Sequence, residues 1–490
     1  MVTYSITSMP ENIIARVVER KVIADALNSR EPELAAVWGR RRVGKTFLIR
    51  NSRPTAGHYF ELVGTKDGKL HEQLFNFSQA LARTFPFAGA SRPPSSWGQA
   101  FALLSSILDT QATGSEPIML FFDEAPWLDT RKSGFLNALE HFWNAWGSTQ
   151  KRVKLFVCGS SSSWILKKIV RGKGGWHGRA TRKIHLHPFT LAESGEYLAS
   201  RGIKLSTADL IEVYMALGGT ALYLKQVPRG ASVGAALDQI CFQRDGALRD
   251  EFNELFHSLF DSAPEYIKIV TALAASRNGL TKTRIRAQTR LSSGRQFKQA
   301  LDNLCDTDFV RAYQPFQKPG IRYRTYRLSD FFSLFHLRWM ETPPRRGGNW
   351  QIIHGSPAYR AWAGLTFEML VWNHIDCLLR EVGLQHIPVQ TTKWRYAPTD
   401  PNDTGAEIDL LIDADRAGLY ILELKARDKP FEITKDENRT LLAKRRALEN
   451  ATKSRRSIFV HLLATHGVVR NTYAQETVDY IYDVESLLRG

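Results

Sequence analysis

The stretch Leu34-Ala35-Ala36-Val37-Trp38-Gly39-Arg40-Arg41-Arg42-Val43-Gly44-Lys45-Thr46-Phe47-Leu48-Ile49 decides the fold. Leu34 to Trp38 is an apolar run of strand length, and Phe47, Leu48 and Ile49 begin an apolar helical pattern. Gly39 to Thr46 matches G-x-x-x-x-G-K-[ST] in the strand–loop–helix context that gives the motif its meaning. Such a loop curls backbone N–H groups around an anion, and the helix N-terminus adds positive potential. Lys45 is therefore expected to reach the β- and γ-phosphates of a nucleotide, and the Thr46 hydroxyl to ligate Mg²⁺. The expected nucleotide contacts are Gly39, Arg40, Arg41, Arg42, Val43, Gly44, Lys45, Thr46 and Phe47.

Working outward, His58–Val63, Ile118–Phe122, Lys154–Cys158 and Lys183–Leu186 read as further buried strands, with a helical pattern over Leu70–Phe85 between the first two. The run Pro117-Ile-Met-Leu-Phe-Phe-Asp123-Glu124 ends a strand in two acids. Asp123 is expected to hold Mg²⁺ and Glu124 to polarise an attacking water. A strand between the two motifs, together with Glu124, points to the additional-strand class of phosphate-loop ATPases. Ser160, at the end of the next strand, is either an orienter of that water or part of a plain turn. Arg179 is either a stabiliser of transition-state charge or a member of a structural ion pair. His185 and His187 share a strand face, and packing is the preferred reading over a metal pair.

The chain has 490 residues, with 66 Lys+Arg against 49 Asp+Glu and a net charge of +17. This length suggests about three domains, and the basic excess an anionic partner, usually nucleic acid. Four cysteines without Cys-x-x-Cys spacing argue against a disulfide framework and a cysteine zinc site. No apolar run approaches the ~18 residues of a membrane span. Met1 to Asn12 lacks the pattern of a signal peptide, so a cytoplasmic setting and no membrane partner are expected.

These motifs resemble, together, the archaeal-type ATPases, an AAA+/STAND-related family found also in bacteria. The residues that carry the resemblance are Val17-Val18-Glu19-Arg20, Gly39 to Thr46, Phe122 to Leu128, Cys158-Gly159-Ser160-Ser161, Gly178-Arg179 and Gly218 to Leu224. Ala221 departs from the proline usual there. The resemblance implies a multidomain α/β chain: a P-loop AAA+ type parallel sheet over residues 1–190, a helical lid over 191–257, a winged helix over 258–345 and a nuclease-like α/β domain over 346–490. A homo-oligomer is possible in such a family.

The residues support the later segments independently. Pro264–Ala275 has a helical apolar face, Thr281 is placed to cap a second helix, and Ser292 or Ser293 a third that ends at Leu304. Phe309–Tyr313 and Arg322–Leu328 read as a hairpin with Lys318-Pro319-Gly320 at its tip, completing a winged helix. Lys282, Arg284, Arg286, Arg290, Arg295 and Lys298 lie in a stretch without acids and suit DNA phosphates, or a solvated face. Pro343 to Gly348 reads as a basic linker.

Ala406–Ile412 and Leu419–Lys425 then read as a hairpin that brings Asp409 opposite Glu423 and puts Lys425 on the face of Glu423. Gly364 is read as opening a helix that carries Glu368. Asp409, Glu423 and Glu368 are candidate metal ligands, and Lys425 a candidate to polarise a scissile phosphate or its attacking water. Asp…Glu-x-Lys after a helical Glu looks like the PD-(D/E)XK nuclease fold, with Glu407 beside it. Trp394 and the patch Lys444, Arg445, Arg446, Lys453, Arg455 and Arg456 are read as tracking a DNA backbone or as a solvated helix face. The expectation is an ATP- and Mg²⁺-dependent ATPase that couples nucleotide state to DNA binding and cleavage. One alternative is a regulatory switch whose last domain only binds DNA or protein. Another is an ATP-dependent helper of a mobile element.

Overall fold

The computed structural model describes residues 13–86, 92–112, 114–172, 174–291, 294–318, 320–341, 350–396, 405–453 and 455–489. Met1 to Asn12, Ser292, Ser293, Pro319 and the Pro343–Gly348 segment lie outside the described residues. The chain divides into two compact units, 1–188 and 189–490.

In the first unit β1 (Glu33–Trp38), β2 (His58–Val63), β3 (Ile118–Asp123), β4 (Val153–Gly159) and β5 (Arg182–His185) form a parallel sheet in the order β2-β3-β4-β1-β5. β4 lies between β1, which feeds the Gly39–Thr46 loop, and β3, which ends in Asp123. This topology is consistent with a P-loop AAA+ fold. β1, β3 and β4 are buried along their full lengths, as parallel strands covered on both faces must be. Alternation along β3 sends Phe122 to one face, with Phe60, Phe77, Phe101 and Phe135. It sends Phe121 to the other, with Leu48, Ile49 and Phe156.

The second unit begins with helices, among them Leu191–Ser200, opened by a Thr190–Glu193 capping box. Next comes helix Ala263–Ala274, then β6 (Leu280–Thr281), helices Lys282–Thr289 and Gly294–Asp306, β7 (Val310–Tyr313) and β8 (Thr325–Leu328). These strands pair antiparallel in the order β6-β8-β7. Three details differ from the sequence expectation. β6 adds a third strand to the expected hairpin. Ile321–Tyr323 is a 3₁₀ turn, because Gly320 at φ 113 bends the chain before the strand starts. Thr281 occupies the cap position, but its side chain makes no capping bond.

The last part holds a mixed sheet, β13-β12-β11-β10-β9, built from β9 (Gln390–Tyr396), β10 (Ala406–Asp413), β11 (Leu419–Lys425), β12 (Ile458–Ala464) and β13 (Tyr480–Tyr482). Helix Lys435–Thr452 packs Leu441 and Leu448 against Ile408, Leu411, Ile421, Val460 and Leu462. Helix Pro357–Asn373 starts two turns before Gly364, which corrects the expected start. Ser356 caps it by accepting from Tyr359 N at 3.1 Å, and Pro357 takes the first turn, where no N–H partner is needed. Glu368 therefore sits in the body of this helix. Among the described residues, no helix is long and apolar enough to cross a membrane.

Candidate functional site

The loop between β1 and helix Lys45–Asn51 takes its shape from Gly39 and Gly44. Gly39 has φ +149, and a Cβ there would collide with the Leu186 carbonyl oxygen; Gly44 has φ +98 and precedes the helix. Only glycine adopts such backbone freely. Arg42 also has φ 72. Lys45, 6% exposed, folds back into the loop and donates to Gly39 O at 2.8 Å, Arg40 O at 2.9 Å and Ser160 Oγ at 3.1 Å. Burial lowers the Lys45 pKa, opposed by negative groups that include Glu124 and Asp123.

Parallel pairing puts the end of β3 beside the loop. Thr46 Oγ1 donates to Asp123 Oδ2 at 2.6 Å, while Asp123 Oδ1 accepts from Glu124 N at 2.9 Å. Burial pushes the Asp123 carboxyl up, and the Thr46 bond opposes the shift. Glu124 stands at φ 47, a strained value for a non-glycine residue. Both its oxygens are held by Ser160, Oε1 accepting from Oγ at 2.6 Å and Oε2 from N at 3.0 Å. Ser160 thus links Lys45 to Glu124. A buried carboxylate against a threonine hydroxyl fits a hard divalent cation, and the glycine-shaped loop with its lysine fits a polyphosphate.

Phe47 is 54% exposed, and the Arg41 guanidinium stacks over the Trp127 ring at 5.1 Å. Arg179 is exposed in the turn after Trp176, and among the described residues its side chain holds neither an ion pair nor a hydrogen bond. The structure therefore does not bear out the ion pair weighed for it. His185 and His187 lie ring to ring at 3.7 Å, with Trp38 stacked on His185 at 5.2 Å.

In the second unit, a register shift in the pairing of β10 with β9 falls between Ile408 and Leu411, at Asp409. Bulges of this kind re-aim side chains. Asp409 Oδ2 accepts from Leu424 N at 3.1 Å, which ties it beside Glu423 on β11. Burial pushes the Asp409 carboxyl up to about 7, helped by the charges of Glu423 and Glu368. Glu423 and Glu368 are 4% and 6% exposed. Lys425 Nζ bonds Glu423 Oε1 at 2.8 Å and Lys444 Nζ bonds Oε2 at 2.7 Å. Burial raises the Glu423 pKa, but Lys444 and Lys425 outweigh it and leave it lowered. Glu368 meets Lys393 at 3.0 Å, Arg277 at 3.5 Å and Arg327 at 3.9 Å, and Lys393 also reaches Glu407 at 3.2 Å. The buried carboxylates Glu423 and Glu368 beside the half-buried Asp409 are a donor set that fits a divalent cation.

Two expectations are corrected here. Lys444 is part of this cluster, not a member of a solvated patch, because Leu441, Lys444 and Leu448 share the sheet-facing side of helix Lys435–Thr452. That i, i+3, i+7 spacing was available in the sequence. Trp394 is 8% exposed and stacks on Tyr396 at 6.0 Å, so it packs instead of tracking a backbone. Lys393, Arg277 and Arg327 escape the sequence reading, since no spacing relates them to Glu368. Arg456 is likewise tied, to Asp413 at 2.5 Å, whereas Arg445, Arg446, Lys453 and Arg455 are exposed.

Arg284, Arg286 and Arg290 are exposed on or beside helix Lys282–Thr289, and Arg295 and Lys298 on helix Gly294–Asp306. Lys282 lies over the Phe297 ring at 5.9 Å.

No known family's sequence profile matches the chain. It is similar to an uncharacterized protein of Methanocaldococcus jannaschii, 23% identical over 420 residues that cover 85% of this chain and 88% of the relative. Among solved structures it is similar to a Walker-type ATPase of Pyrococcus abyssi, with 19% identity, TM-score 0.47 and coverage of 69% of this chain and 99% of the other. The ORC2 protein of Aeropyrum pernix in ADPNP–ADP complexes gives 13% identity, TM-score 0.42 and coverage of 67% and 95%. Cdc6p of Pyrobaculum aerophilum gives 16% identity, TM-score 0.32 and coverage of 68% and 95%. At these levels the similarities assign the chain to no family, and the functional reading rests on the geometry above.

Proposed function

We propose that the first unit binds and hydrolyses ATP with Mg²⁺, and that the second binds DNA and cuts it at the carboxylate cluster. The observation that carries the ATPase reading is the chain of bonds from Lys45 through Ser160 to Glu124, alongside the Thr46–Asp123 pair. Bound ATP and Mg²⁺ supply the transferable phosphoryl group and the counter-charge for its transfer. Lys45 carries a positive charge to the β- and γ-phosphates, and Gly39 to Phe47 wrap them. Thr46 and Asp123 hold the cation. Glu124 takes the proton of the attacking water, and Ser160 keeps its carboxylate aimed. Arg179 is exposed and available to meet developing charge.

We read the second unit as a helical lid over 191–257, a winged helix over 258–345 and a PD-(D/E)XK nuclease-like domain over 346–490. Arg284, Arg286, Arg290, Arg295, Lys282 and Lys298 contact DNA phosphates. Asp409, Glu423 and Glu368 hold a divalent cation, and Lys425 orients the water or the scissile phosphate. One observation favours a second reading, a nucleotide-driven switch whose last domain only binds. Glu423 and Glu368 already spend their oxygens on Lys425, Lys444 and Lys393.

Plasmid incubated with Mg²⁺ or Mn²⁺ and ATP separates the two. Cleavage by the wild type that disappears in Glu423→Ala/Lys425→Ala supports the nuclease. Intact plasmid under every condition, with ATP hydrolysis abolished by Lys45→Ala, leaves the switch.

A further inference from the structure

We propose that the carboxylate cavity of the second unit takes an unpaired DNA strand and not a duplex, and that Arg338 and Arg360 guide it in; this deepens the nuclease reading and rests on it. The cavity holds about 1130 Å³. Asp409, Glu423 and Lys425 lie on its sheet side. Its other walls are helical. Thr271 belongs to helix Ala263–Ala274 and Arg277 to the turn after it, Leu337 and Arg338 to the turn His336–Met340, Arg360 and Leu365 to helix Pro357–Asn373, and Lys444 to helix Lys435–Thr452.

Two of the three carboxylates are therefore not displayed on an open face, and Asp409 is half-buried. Glu423 and Glu368 retain 4% and 6% exposure below these walls. A duplex carries its phosphates on the outside of a stiff rod, with a persistence length of about 150 base pairs. To bring one of them to Glu423, the helical walls would have to part. An unpaired strand turns within a few nucleotides and offers two surfaces at once, base faces and phosphates. The cavity matches both, with apolar Leu337, Leu365 and Leu424 beside the exposed guanidinium groups of Arg338 and Arg360. Guidance thus falls to side chains separate from Arg284, Arg286 and Arg295, which lie on exposed helices where a duplex fits.

The test uses the full chain in EDTA and fluorescence anisotropy with a labelled single strand of roughly 15 nucleotides, alongside the blunt duplex of the same sequence. Arg338→Glu/Arg360→Glu should weaken the single strand by about tenfold or more while duplex affinity changes less than about twofold. Arg284→Ala/Arg286→Ala/Arg295→Ala should do the reverse. The milder Arg338→Gln/Arg360→Gln pair, checked by thermal melting, should give a smaller loss in the same direction. Unchanged single-strand affinity in both cavity pairs overturns the proposal, as does an equal loss for the duplex. With Mn²⁺ added, equally fast cleavage of blunt duplex and single strand overturns it and leaves the nuclease reading intact. Single-strand binding that depends on Arg338 and Arg360 without any cleavage supports the strand site and removes the nuclease reading.

Discussion

Asp123 and Glu124 at the end of β3, and Asp409 and Glu423 of the last sheet with Glu368 of helix Pro357–Asn373, are both sets of buried or half-buried acids beside lysines, yet they are held by different partners. Hydroxyls and backbone N–H groups hold the first set, with Thr46 on Asp123 and Ser160 on Glu124, while Lys45 spends its ammonium on two carbonyls and Ser160. Ammonium and guanidinium groups hold two members of the second, with Lys425 and Lys444 on Glu423 and with Lys393, Arg277 and Arg327 on Glu368, while Asp409 accepts from Leu424 N. Among the described residues, no partner in the first cluster sets an opposite charge against its acids at ion-pair distance, so the first cluster fits a cation and a polyphosphate without displacing a salt bridge. Cationic partners neutralise the second cluster internally, so a metal ion has to displace them. The first site is therefore poised and the second closed.

The sharpest way to break this contrast is Glu124→Gln. If Glu124 is the base of a poised site, the substitution should lower ATP hydrolysis by about 10³-fold, equivalent to about 4 kcal/mol, with ATP binding retained. Steady-state hydrolysis alongside nucleotide-binding fluorescence measures both. A drop below tenfold would reassign the base.

Next in size is Lys444→Met, aimed at the closed site. Removing one partner of a buried pair leaves charge behind, and with Lys425 still bonded the cost should fall near the low end, about 3 kcal/mol. Urea unfolding reads the loss. Mn²⁺ should then raise the melting temperature of the variant more than that of the wild type, because an ammonium no longer competes for Glu423. Equal shifts would show that Lys444 does not close the site.

How much of this contrast the sequence carries follows from how far apart the partners lie along the chain. The poised site was legible almost completely. Gly39 to Thr46 is contiguous, Asp123 and Glu124 end an apolar run, and Ser160 ends the next one, so each marks its own strand end. The strand ladder followed for the same reason, since five short apolar runs alternate with helical patterns. The closed site was only half legible. Asp409, Glu423 and Lys425 share a hairpin whose period-2 alternation is local, but Lys393, Arg277 and Arg327 reach Glu368 only through tertiary packing. Lys444 was visible in principle, because it falls on the apolar stripe of Leu441 and Leu448, but the run Lys444-Arg445-Arg446 reads first as surface. Gly364 suggests a helix start just before Glu368, whereas the Ser356-Pro357 cap sets the start two turns earlier.

The smallest expected effect concerns acid. His336 and His461, both in the second unit, are pushed down from 6.5 to about 4 by burial, a shift that Asp250 and Asp479 respectively oppose. Each binds a proton more readily in the unfolded chain, so stability is fully present above pH 6.5 and is lost as pH falls from 6.5 toward 4. At pH 5 the loss should be about 2 kcal/mol per histidine, from 1.36 kcal/mol per pH unit below 6.5. His461 Nδ1 lies 3.0 Å from Tyr482 Oη, so His461→Gln keeps a hydrogen-bonding group there without the titration. Denaturant unfolding of the full chain, followed by a probe in the last sheet, should show the wild type losing about 2 kcal/mol more than this variant between pH 7 and pH 5, a difference in which the opposite contribution of Asp409, whose raised carboxyl gains stability over the same window, cancels. An equal loss in the two would move the acid sensitivity to other groups.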